Sequence, residues 1–125
     1  MEESFTVQPT QLANVVGSGS LPVLATPALA CAMENTAMHA CEPLLTEGET
    51  TVGAHLALDH LAPSLVGDDI HITATVTKHT PKKVQLTLAA HSHGQLIAKA
   101  THVRTIVNVE RFMEHAQSIV NKDES

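Results

Sequence analysis

Between Ala25 and Cys41 the chain reads Ala-Thr-Pro-Ala-Leu-Ala-Cys-Ala-Met-Glu-Asn-Thr-Ala-Met-His-Ala-Cys, with no glycine and a proline only near its start. Residues of this kind favour a helix. Because most of the side chains are small, strand backbones can approach such a helix closely. A single acidic residue interrupts the run. One turn either side of Glu34 lie Ala30, Cys31, Ala37 and Met38, all apolar. A carboxylate on an apolar helix face is costly to bury without a partner, so Glu34 is a candidate for chemistry.

The chain marks both ends of this helix. Thr26 stands where an N-cap is expected, Pro27 at the first helical position, and Pro43 or Leu45 at the end. Upstream, the weak alternation of Ser4 to Gln8 predicts a strand. Gln11 to Val16 gives a helical turn or two that runs into Gly17-Ser18-Gly19-Ser20, a stretch expected to be mobile. Downstream, Glu47-Gly48-Glu49 is a turn and Thr50 to Leu61 a strand, followed by a loop from Pro63 to Asp69. Ile70 to His79 and Val84 to His93 alternate cleanly as strands, and Gln95 to Val109 is a long final strand after a turn at Gly94. Glu110 to Asn121, with Phe112, Met113, Ala116, Ile119 and Val120, reads as a closing amphipathic helix.

With 125 residues, the chain fits one domain spanning residues 1–125 with its own core. Phe5 and Phe112 are its only aromatics, so the core must be built from Ala, Val, Leu, Ile and Met. Seven Lys and Arg against thirteen Asp and Glu argue against a broad nucleic-acid-binding surface. Cys31 and Cys41 lie roughly 15 Å apart along one helix and cannot pair within the chain. No stretch approaches the ~20 apolar residues of a membrane span, and no basic start followed by an apolar run marks a signal peptide. The expected setting is the reducing cytoplasm, with no membrane partner.

One long helix followed by four strands in hairpin succession is an α+β two-layer design. The order and lengths resemble the hotdog fold, in which a curled antiparallel sheet wraps one long central helix. The chain is similar to the fluoroacetyl-CoA thioesterase-like branch of the hotdog superfamily, whose members carry a Thr, a Glu eight residues later and a His twenty-six residues beyond. Here these are Thr26, Glu34 and His60. The similarity continues through Gly53, through Ala100-Thr101-His102-Val103-Arg104 and through Val109-Glu110-Arg111-Phe112, covering about residues 5 to 115.

This resemblance implies hydrolysis of an acyl-CoA or related thioester, with Glu34 as general base or nucleophile and Thr26 and His60 assisting. Gly53 and Arg104 are implied as substrate-binding positions, for close backbone approach and for orienting charge. It calls for no cofactor and no metal. Subunits of this fold usually pair, so a homodimer or dimer of dimers is expected, with the thioester arm entering along the interface. Fluoroacetate-specific members place bulky aromatics ahead of the Thr as a lid, whereas Gly17 to Leu24 here holds none, which points to a different acyl group.

Other readings attach to the same residues. A hotdog module could bind acyl-CoA or a small ligand without turning it over, and Asp59-His60 is a weak hint of a hydratase or dehydratase. His55 is five residues before His60, which puts it on the opposite strand face unless a bulge intervenes. His71, His91 and His93 lack a third metal ligand at a recognisable spacing and read as solvated positions. No Gly-x-Ser-x-Gly elbow occurs, and neither cysteine starts a helix.

Overall fold

In the computed structural model, which describes residues 1–124, the strands form one antiparallel sheet. In chain order these are β1 (Glu2–Thr6), α1 (Ala13–Val16), α2 (Thr26–Cys41), β2 (Glu49–His60), β3 (Asp69–His79), β4 (Lys83–Ser92), β5 (Gln95–Asn108) and α3 (Val109–Glu124). Across the sheet the order is β1-β3-β4-β5-β2, so β2 pairs only with β5 and its other edge is free. The sheet curls around α2 as the hotdog architecture expects.

Leu29, Met33, Ala37 and Cys41 recur every fourth residue along α2 and are fully buried. They pack with Ile70, Ile72, Leu86, Leu88, Ala98 and Ala100 from the three central strands. No aromatic ring belongs to this buried set, and Phe5 only packs against its margin. Small and aliphatic side chains from both layers interdigitate instead, each large one contributing about 1.5–3 kcal/mol of burial.

Element ends differ in places from the expectations. β1 is Glu2–Thr6, shifted toward the N-terminus, because Gln8 already opens the short 3-10 turn at Pro9–Gln11, its amide donating to the Gln11 side chain. Thr26 is not the N-cap: Ala25 is, in an extended conformation, and Thr26 lies inside the first turn with its hydroxyl engaged elsewhere. Beyond Cys41, a 3-10 turn over Glu42–Leu44 prolongs the helix as far as the prolines allow. In the Gly17 to Ser20 stretch, the amides of Gly17, Ser18 and Gly19 all donate to the carbonyl of Ala13. Among the described residues, no helix is long and apolar enough to cross a membrane.

One irregularity in β2 decides which histidine faces α2. Gly53 pairs with Arg104 and His55 with Val103, leaving Ala54 as an extra, bulged residue. Thr51 is buried on the inner face, and Leu56 and Leu58 pack against the core. Thr51 and His60 differ by an odd number of positions, so they share a face only because the bulge inserts one residue between them. Without it His55 would turn inward and His60 outward.

Candidate active site

Of the clefts that open beside α2, one holds Thr26 and His60 and another Glu34 and Arg104. The first, about 320 Å³, lies at the start of α2 and includes Thr26, His60, Ser18 and Pro63 in its lining. Thr26 Oγ1 and His60 Nδ1 share a hydrogen bond of 2.8 Å. This contact joins the first turn of the helix to the last residue of β2. His60 Nε2 is buried without a hydrogen-bond partner. Burial pushes the His60 pKa below the ordinary imidazole value, which keeps the ring neutral at pH 7.

The second cleft, about 490 Å³, is lined by Pro27, Cys31, Glu34, Asn35, Met38 and Arg104, among others. Its apolar wall is the helix face that surrounds Glu34 in the sequence. The Glu34 side chain is 42% exposed, so it is half-buried at the mouth and not sealed in the core. Its Oε2 stands 3.8 Å from Arg104 NH1, the opposite charge that makes its position tolerable.

Arg104 is itself buried and held on three sides. Its Nε donates to Thr51 Oγ1 at 2.9 Å, its NH2 to the Thr51 carbonyl at 3.1 Å, and its NH1 to His102 Nε2 at 3.2 Å. Gly53 lies against the Glu34 carboxylate. A Cβ built on Gly53 would stand 2.6 Å from Glu34 Oε2 and 3.6 Å from both Arg104 NH1 and His102 Cε1. Only a residue with no side chain lets the carboxylate lie there.

The structure therefore brings Thr26 to His60, and Glu34 to Gly53 and Arg104. It does not bring the two groups into contact within one copy, since Thr26 and Glu34 are separated by roughly 12 Å of helical rise. The side chain of His55 is exposed, and only its carbonyl takes part, accepting from His102 Nδ1 at 2.7 Å. His71 shares a hydrogen bond with Ser4, and His93 one with Asp68, while His91 sits across from His71 in the register. None of these three histidines is among the residues lining either cleft.

Thr51 goes unmarked in the sequence, and His102 stands there only within the similar stretch Ala100 to Arg104, with no role. The alternation of β5 held the signal: Ala98, Ala100, His102 and Arg104 fall at every second residue and all four are buried. Polar residues continuing a buried apolar stripe are the ones that need partners.

A family model described as fluoroacetyl-CoA-specific thioesterase, FlK, matches residues 7–110. The fluoroacetyl-CoA thioesterase of Streptantibioticus cattleyicolor is 27% identical over 90 residues, which cover 72% of this chain and 65% of the relative. The matched region is thus just under two thirds of that relative's length. A variant of FlK solved with fluoroacetate and CoA superposes with a TM-score of 0.87 at 22% identity, over 94% of this chain and 97% of the other. A thioesterase superfamily member from Thermus thermophilus gives a TM-score of 0.91 at 23% identity, over 98% and 91% of the two chains. At these identities the structural likeness establishes the hotdog fold. The family match spans most of the sequence, including both clefts, and on that ground the chain belongs to the fluoroacetyl-CoA-specific thioesterase family.

Proposed function

We propose that the protein hydrolyses a short acyl-CoA or related thioester to the free acid and thiol, with Glu34 as the reacting carboxylate. Among the described residues lining the two clefts, Glu34 is the sole carboxylate. That observation carries the assignment. A buried guanidinium fixes the charge beside it, a glycine gives it room, and the cleft leaves it reachable.

Two routes suit such a group. As general base, Glu34 takes a proton from water as the oxygen attacks the thioester carbonyl; collapse then breaks the C–S bond and the thiolate leaves. As nucleophile, its oxygen attacks the carbonyl, the thiolate leaves a mixed anhydride, and water hydrolyses that anhydride. In both, the leaving sulfur takes up a proton. With the Glu34 cleft of one copy set against the Thr26–His60 cleft of a second, neutral His60, oriented by Thr26, supplies the proton relay, and the unpaired amides at the start of that copy's α2 stabilise the carbonyl oxygen as it gains charge.

The free edge of β2, a strand of 12 residues, is the natural seam for a second copy, because an unpaired edge of this length invites pairing. A homodimer, or a dimer of dimers, would close both clefts along that seam and give the extended pantetheine arm its channel. The test is free-thiol release from a panel of short acyl-CoAs, wild type against Glu34→Gln. Turnover abolished by the substitution supports the proposal; tight binding with no release by the wild type supports a non-catalytic acyl-CoA-binding module in its place.

A further inference from the structure

We propose that His102 is a positioning residue: one face of its ring aims Arg104 at Glu34, and the other locks the β2 bulge that turns His60 inward. Its kinetic consequence rests on the thioesterase reading above, while its geometry does not.

His102 is 2% exposed and sits on the inner face of β5. Its Nδ1 is 2.7 Å from the His55 carbonyl oxygen, which can only accept, so Nδ1 carries the proton. Its Nε2 is 3.2 Å from Arg104 NH1, which can only donate, so Nε2 is bare. The ring is therefore neutral and in one tautomer, and burial, which pushes its pKa down, favours the same form. The charged and titratable groups around it are Arg104 on its own strand, Glu34 from α2 and His55 from β2. Thr51 occupies Arg104 Nε and NH2, so NH1 is the nitrogen left to His102 and Glu34. Remove the acceptor at Nε2 and NH1 loses the contact that fixes its direction. Remove the donor at Nδ1 and the carbonyl at the bulge loses its partner, which loosens the register that carries His60. A single ring thus ties together the two polar clusters that lie roughly 12 Å apart along α2.

Two substitutions separate the functions. In His102→Asn the carboxamide nitrogen reaches about where Nδ1 stands, keeping the donor to His55 and removing the acceptor to Arg104. In His102→Gln the longer carboxamide offers an oxygen to Arg104 and leaves the bulge carbonyl without its donor. With acyl-CoA thiol release as readout, His102→Asn should lower kcat about 10²-fold, the scale of an ångström-level misplacement. Its KM should change little, so that the loss falls on kcat. His102→Gln should keep Arg104 aimed and loosen β2 instead, read as faster amide exchange between Ala54 and His60 than in His102→Asn. Wild-type kcat in His102→Asn, or equal amide-exchange rates over Ala54 to His60 in the two variants, would overturn the proposal. Nitrogen-15 chemical shifts of the wild-type ring supply a readout without turnover: Nδ1 protonated and Nε2 bare is expected at neutral pH. The opposite tautomer or an imidazolium overturns the inference. A wild type with no thiol release dismisses the catalytic reading separately and leaves the ring shifts to decide the positioning of Arg104.

Discussion

The carboxylate of Glu34 occupies the space that a side chain on Gly53 would fill, with Oε2 only 2.6 Å from the position of the absent Cβ. Gly53→Ala should then leave the fold in place, because the atom displaced is the far end of a flexible side chain. The displaced carboxylate swings off its position beside Arg104, and kcat for thiol release should fall about 10²-fold. The comparison is thermal midpoint against kcat in the same preparation. A variant as active as the wild type would mean that Glu34 need not lie over Gly53 to react.

Two neutral imidazoles, half-buried His60 and buried His102, make the fold acid-sensitive. The pKa values of His60 and His102 are held down chiefly by burial, so below the ordinary value of 6.5 the unfolded chain binds more protons at these sites than the native one. Their contribution falls as pH drops from about 6.5 toward their depressed native values. His39 acts with the opposite sign: its Nδ1–H donates to Glu3 at 3.0 Å, which raises its pKa, so its pairing is fully present below 6.5 and lost on the alkaline side. That pair is only half-buried and partly screened, and the two rings of depressed pKa should dominate. Urea midpoints should decrease between pH 7.5 and 5, and decrease more steeply in His39→Ala. A flat or rising profile would contradict this assignment of charge.

Acyl specificity should be broad at the small end. Gly17 to Leu24 carries no aromatic side chain to cover the acyl group, and a pocket rejects an isostere only through contacts that penalise it. Non-fluorinated short acyl-CoAs should be hydrolysed with kcat/KM at least equal to that of fluoroacetyl-CoA. A preference for the fluorinated substrate of about 10³-fold, or about 4 kcal/mol in the transition state, would contradict it.

Assembly follows from the free edge of β2. Light scattering at micromolar concentration should give a dimer or a dimer of dimers, since an unpaired 12-residue strand is otherwise left to aggregate. A stable monomer at that concentration would remove the proposed channel along the seam.

Much of this architecture was legible in the residues, for reasons of periodicity. The small-residue helix around Glu34, the clean alternation of Ile70 to His79 and Val84 to His93, and the turn at Gly94 all carry local signals that tertiary packing reinforces. The choice between His55 and His60 is different. Strict alternation from Thr51 makes His55 the inward residue, and only the bulge at Ala54 reverses that; no residue type at Ala54 announces it. Thr26 carried a misleading local signal, since a threonine before Pro27 has the chemistry of an N-cap, yet its hydroxyl is taken by His60 from a distant strand. The network of Arg104, His102 and Thr51 depends on the pairing of β2 with β5, a long-range register that local pattern does not encode.

Steady-state thiol release by Glu34→Gln, measured on protein whose thermal midpoint shows it folded, tests the central claim most directly. The substitution keeps the volume and hydrogen-bonding capacity of the side chain while removing the base or nucleophile. The predicted kcat falls by about 10²- to 10⁴-fold, with a thermal midpoint at or below that of the wild type because buried Arg104 loses the charge beside it. Turnover at near wild-type rate would make Glu34 a structural partner of Arg104 and nothing more.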